Sequence, residues 1–318
     1  MNLNFMSTMK GSLLEGFYPE EWDFDKIDAC CNHRPEEVGV PQSFWNECFK
    51  PVACDNVDAF NMMLGHQIAH EIQKARNEGR KLAFIFPVGP MGMYHWVVYF
   101  LKEWNVRCDH VYGFNMDEWA DGEGNTLDRT NPGSFEYAMR GALYDPLGEL
   151  TIPESQRNFA TKENLPTYPE KIKALKKEGA KLITVYGIGR MCHIAFWEPH
   201  FGKEFATVEE WKAQPYRLGA QLHPLTIEQN AITSFKSRTS LVPCRANTIG
   251  PGLFLQSDYM IGGADGTFNR GMQWQGMSLW MTLRYGPDKA VTSSFVPTIA
   301  GKLFFLKELA GPMVAECN

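Results

Sequence analysis

Apolar residues recur at helical spacing early in the chain. Phe60, Leu64, Ile68 and Ile72 fall four apart, so residues 58–78 read as an amphipathic helix that Gly79 stops. Continuous apolar runs follow a different rule. Residues 81–86 and 181–186 read as strands buried on both faces, and 108–114 as a further strand. Between them, 92–104 and 134–143 read as helices. Pro169 at a helix start and Gly179 just past its end bracket another helix, rich in lysine and alanine. Later apolar pieces lie at 259–261, 277–283 and 290–296, and a last helix is expected over 298–309. Residues 211–224 are the least regular stretch and read as a surface lid or insertion.

Strands alternating with helices imply βαβ units. The fold expected is α/β: a Rossmann-like open, mostly parallel sheet with helices on both faces. Residues 1–50 carry Pro19, Pro35 and Pro41 and show no regular period. They read as an N-terminal extension that packs its aromatics on a main domain of residues 51–318. No internal repeat stands out.

Composition narrows the function classes. The 318 residues are 44% hydrophobic and 21% charged, enough for a sizeable core. The net charge is −6 with no basic block, which argues against nucleic acid or an anionic membrane as partner. An anionic ligand would need a local site, because the global field repels it. No apolar run is long enough to span a bilayer, and the N-terminus lacks a signal pattern, so a cytoplasmic protein is expected. Eight cysteines without a CxxC spacing read as buried thiols. His66 and His70 lie one helical turn apart, but no third ligand is in view. No metal and no cofactor are expected.

In such a sheet, ligands bind beyond the carboxyl ends of the strands, and four strand ends carry suggestive residues. The first is Pro87-Val88-Gly89-Pro90-Met91-Gly92, a turn whose amides at a helix start can hold an anion; Gly89 and Gly92 are its candidates. The second is Phe114-Asn115-Met116-Asp117-Glu118-Trp119. One of its paired acids reads as a working base, the other as a cap or hydrogen-bond acceptor. The third runs from Gly187-Ile188-Gly189 through Cys192-His193 to Glu198-Pro199, with a histidine and a glutamate five residues apart. Adjacent side chains rarely face each other, so Cys192 is at most a minor candidate nucleophile. The fourth, residues 262–267, reads as a structural turn, with Arg270 beyond it in reach of an anion.

Two of these segments resemble a known family. Residues 114–119 resemble the F-N-M-D-E-Y motif of glucosamine-6-phosphate deaminases, and 187–199 resemble their G-[IV]-G-x-D-G-H-I-A-F-N-E-P motif. The resemblance covers roughly residues 50–318 and extends to the superfamily that holds 6-phosphogluconolactonases and ribose-5-phosphate isomerases. It implies a sugar or sugar-phosphate aldose–ketose isomerase or deaminase. Asp117 would move a proton between C1 and C2 through an enol(amine). His193 would handle the ring-oxygen proton, and Glu198 would orient and tune it. Gly89, Gly92, Glu118, Gly187, Gly189 and Arg270 would contact substrate. The family often forms trimers or hexamers, so self-association is expected.

This chain also departs from the pattern. Met191 stands where the motif has an acid, and Cys192 where it has glycine. The family's P-T-G-G-T-P turn has lost its hydroxyls and, at Pro90, an amide. An arginine that clamps phosphate in the family aligns with Thr233. Phosphate binding leans on such charge-assisted contacts, which leaves three readings in play. The substrate is a different phosphosugar held by Arg270 or Arg245, or an unphosphorylated sugar or sugar acid. A non-catalytic sugar-binding protein is a second reading, and a lactonase-type hydrolase a third.

Overall fold

The computed structural model describes residues 8–9, 11–267 and 273–311. Seven strands build one parallel sheet: β1 (Phe49–Cys54), β2 (Leu82–Phe86), β3 (Val111–Asn115), β5 (Arg157–Asn158), β6 (Lys181–Gly187), β9 (Tyr259–Ala264) and β10 (Gly301–Leu306). Their order is β1-β10-β9-β6-β2-β3-β5. Helices cover both faces, as the alternating pattern predicts. A second sheet, antiparallel, runs β4-β8-β7, with β4 at Asp117–Trp119, β7 at Tyr216–Gln221 and β8 at Arg245–Ile249.

The strongest patterns produce the expected elements. The helix with four-residue spacing runs Val57–Asn77, capped by the Asn56 side chain on the Ala59 amide. It buries Phe60, Leu64, Ile68 and Ile72. The lysine-rich helix runs Tyr168–Lys177, and Gly179 leaves it at φ +85, a conformation glycine adopts without steric cost. The piece at 277–283 lies within a helix, Gly276–Arg284, and 290–296 overlaps a 3₁₀ segment, Thr292–Thr298.

Two expectations are overturned. The last helix over 298–309 is instead strand β10, followed by a 3₁₀ turn at Lys307–Ala310. Leu303, Phe304, Phe305 and Leu306 are an apolar run too short for periodicity to separate strand from helix. The ladders to β1 and β9 decide it. Residues 211–224 are no surface lid. Trp211 is fully buried and stacks on Phe295, and β7 pairs with β8. An irregularity between Arg217 and Ala220 breaks the alternation that would reveal that strand. Strand β1 escapes sequence reading because of Pro51, which an edge strand tolerates.

The segment before β1 contributes apolar residues to the main core. Trp22, Ile27, Cys30 and Cys31 are buried there. The indole N–H groups of Trp22 and Trp45 donate to the Ala290 and Leu283 carbonyls at 2.7 and 3.0 Å. Among the described residues, no helix is long and apolar enough to cross a membrane.

Candidate functional site

Strands β2, β6 and β9 are neighbours, and their carboxyl ends open on a cleft of about 580 Å³. Asp117 reaches this cleft because the chain changes sheets within one residue. The Met116 amide donates to the Phe86 carbonyl at the end of β2, while its own carbonyl accepts from Ile249 in β8, at 2.9 and 2.8 Å. Asp117 then opens β4, paired with Thr248. It is 6% exposed and lines the cleft. Among the described residues its carboxylate has no hydrogen-bond or ion-pair partner. Burial, and to a lesser extent the charge of Glu118, hold its pKa well above the usual carboxylate range.

Glu118, the next residue along the strand, points away. Its carboxylate accepts from the amides of Trp119, Phe135 and Glu136 at 2.9, 2.9 and 3.0 Å. It thus caps the helix Phe135–Met139 and does not line the cleft. Burial raises it to about 7 even though those amides pull the other way. The paired acids therefore divide into one group facing the cleft and one fixing a helix.

The loop after β6 folds tightly over its own histidine. The Gly189 amide donates to the His193 carbonyl at 3.0 Å. A Cβ on Gly189 would lie 1.9 Å from His193 Nε2, so the imidazole occupies the space that glycine leaves. Cys192 and Ala195 sit at φ +58 and +53, a backbone region that costs non-glycine residues energy. The motif's glycine at position 192 is thereby explained, and Cys192 bears the strain. Its thiol is fully buried 3.7 Å from the Met281 sulfur, and burial pushes its pKa up, the reverse of what a nucleophile needs. Met191 is also fully buried, within the apolar core.

His193 is buried yet lines the cleft. Its Nδ1 lies 3.2 Å from the Thr226 hydroxyl and 3.3 Å from Glu198 Oε2. The Oε2 contact brings the carboxylate beside the ring without an aligned hydrogen bond. Glu198 is fully buried, and its Oε1 accepts from the His223 amide at 3.1 Å. Burial alone would raise the Glu198 carboxyl. The imidazole beside it, the Thr226 hydroxyl and the His223 amide together outweigh burial and lower it. Nδ1 is thus engaged, and Nε2 is left on the Gly189 side.

Gly89, Gly187 and Gly189 line the cleft, whereas Gly92 does not. Gly92 opens the helix Gly92–Glu103, and a Cβ there would strike the Asn61 side chain. Asn115 does not line the cleft, while Trp119 does and packs on Phe196 with centroids 4.9 Å apart. Arg245 is spent on the Gly219 carbonyl at 2.8 Å and does not line the cleft. Arg270 lies outside the described residues. His66 and His70 stack their rings 6.1 Å apart, and among the described residues no cluster of three or more metal-ligating side chains occurs.

Three residues that sequence reading did not single out belong to the site. Thr226 opens the helix Pro224–Ser234, which follows the stretch misread as a lid. Gln229, one helical turn on, accepts from the Arg190 amide at 2.6 Å. Asp265 lines the cleft at the end of β9, and burial raises its carboxyl to about 6. An acid directly after the Gly262-Gly263-Ala264 strand end was the only available signal for it.

These features define an α/β protein with a buried acid–base constellation at the carboxyl edge of a parallel sheet. No family model matches the chain. Curated relatives do match. The glucosamine-6-phosphate deaminase of Clostridioides difficile (strain 630) is 30% identical over 212 residues, 65% of this chain and 75% of that protein. That of Streptococcus pneumoniae (strain 70585) is 27% identical over 194 residues, 60% and 72% of the two chains. Among solved structures, a monomeric glucosamine-6-phosphate deaminase superposes with a TM-score of 0.64 at 17% identity, covering 82% of this chain and 98% of that one. A 6-phosphogluconolactonase from Thermotoga maritima gives 0.53 at 14% identity, covering 81% and 99%. The chain belongs to the glucosamine-6-phosphate deaminase family.

Proposed function

We propose that this protein is an aldose–ketose isomerase or deaminase that acts on a sugar or sugar phosphate by proton transfer between C1 and C2. The observation that carries the reading is Asp117: a buried carboxylate without a partner, facing the same cleft as His193. A base used on carbon acids gains from a raised pKa and from the absence of a competing donor. Asp117 takes the proton from C2 and returns it to C1 as the enol or enolamine collapses. His193 relays the ring-oxygen proton through Nε2 when the ring opens. Glu198 and Thr226 hold Nδ1 and keep the ring oriented. With a 2-amino sugar, the C2 imine so formed takes up water and releases ammonia. With a 2-hydroxy sugar, the ketose is the product.

Incubation in D2O tests this directly. Exchange of the C2 proton, read by NMR over a panel of free and phosphorylated sugars, should occur with wild type and vanish in Asp117→Asn. Full exchange in that variant would refute the assignment. Met191 supports a second reading, a sugar-binding protein without turnover. Ligand binding with no exchange on any sugar is its signature. Self-association, expected from the family, is read by light scattering on the same preparation.

A further inference from the structure

We propose that the cleft takes an unphosphorylated sugar, neutral or amino-bearing, with the Asp265 carboxylate as a specificity-determining acceptor. The inference rests on the reading of this cleft as the substrate site. Among the described residues, no lysine or arginine lines it. Its ionisable lining groups among the described residues are Asp117, Asp265 and His193. Among the described residues the Asp265 side chain meets only its own backbone amide, and it lines the cleft at the end of β9. Above pH of about 6 it carries a negative charge there.

Among the described residues the remaining polar lining is neutral. On the helix Pro224–Ser234, Gln229 uses its side-chain oxygen on the Arg190 amide and so keeps its NH2 donors free. Asn230 donates to the Thr226 carbonyl and so keeps its oxygen free. Thr233 and Ser234 add hydroxyls beside them. A free donor amide, a free acceptor oxygen, two hydroxyls and a carboxylate match the alternating donors and acceptors of sugar hydroxyls, or an ammonium group. A phosphate needs cations in charge-assisted contact. Here it would meet the Asp265 carboxylate on a chain of net charge −6, and like-charge juxtaposition is strongly selected against in a partly desolvated site.

Calorimetry and thermal shift on the full chain decide the matter. The probes are glucosamine, glucose and inorganic phosphate, with glucosamine 6-phosphate and glucose 6-phosphate as their counterparts. At least one free sugar should bind at least about tenfold more tightly than its 6-phosphate. Asp265→Asn should weaken the free sugar and narrow that gap. Tighter binding of either 6-phosphate overturns the proposal, and loss of that binding in Arg270→Gln would identify the phosphate's cation. Binding of no sugar at all, or an Asp265→Asn variant with an unchanged gap, overturns it too. A free sugar that binds without C2 exchange leaves this inference standing and sinks the proton-transfer reading. A 6-phosphate that binds better and is turned over does the reverse.

Discussion

Gly189→Ala is the sharpest perturbation of the His193 system. A Cβ built there lies 1.9 Å from Nε2 and 2.2 Å from two ring carbons. An ordinary contact needs about 3.5 Å, so the ring must move by roughly 1.5 Å or the loop must deform. The ring is held on its far side by Thr226 at 3.2 Å and Glu198 at 3.3 Å. A misplacement of about 1 Å in a catalytic group costs on the order of 100-fold, which is about 2.7 kcal/mol of barrier. If the backbone yields instead, overpacking costs about 1–3 kcal/mol of stability, or several degrees of Tm. Gly187→Ala is the control in the same loop. Its Cβ would meet the Gly89 carbonyl oxygen at 3.4 Å, an ordinary contact, so less than about tenfold is expected. The assay is C2 deuterium exchange on a ring-closed sugar, with Tm measured in parallel. Wild-type exchange in Gly189→Ala, or an equal loss in Gly187→Ala, would refute the claim that this glycine exists to seat the imidazole.

Three further predictions address the other groups. Asp117→Asn should raise Tm while abolishing exchange. The folded carboxyl titrates above its unfolded value of about 4, so stability is lost as pH rises above that value; the gain from Asn should be absent below pH of about 4 and grow as pH rises above it. A constant difference across the range would disprove the buried titration. Thr226→Val removes a hydroxyl from Nδ1 and one contact that lowers Glu198. A hydrogen bond to a charged group contributes about 1.5–3 kcal/mol, so the rate on ring-closed sugar should fall about tenfold or more. The acid limb of its pH profile should move up as Glu198 becomes harder to ionise, and an unmoved limb argues for a purely structural threonine. Glu118→Ala strips three amides of their acceptor and should cost about 1–3 kcal/mol by denaturant titration. Loss of activity without loss of stability would return Glu118 to the substrate.

What the sequence showed depended on whether the signal was local. The helix Val57–Asn77 carries its own period and cap, and β2 and β6 are apolar throughout, so all three were legible. Strand β10 was not. Its apolar run is equally compatible with a helix, and only the partners β1 and β9, some 250 and 40 residues away, resolve it. Strand β7 is hidden by its irregular register, and with it went the helix that supplies Thr226, Gln229 and Asn230.

The same distinction explains the site. Asp117 and Glu118 read as a pair in the chain, but strand alternation sends them to opposite surroundings, and no spacing rule says which one faces ligand. Position 191 shows the converse. The sequence shows that an acid is missing two residues before His193, and the fold shows what stands near the imidazole instead. Met191 turns into the core, while Thr226, from a helix some thirty residues later, places a hydroxyl within 3.2 Å of Nδ1. A hydroxyl there is neutral, so His193 is left with Glu198 as its sole carboxylate among the described residues. Orientation of the ring then rests on that one carboxylate, so Glu198→Gln should slow exchange on ring-closed sugar by about tenfold or more while leaving exchange on open-chain sugar nearly intact. Equal losses on both would mean that Glu198 serves the fold and not the histidine.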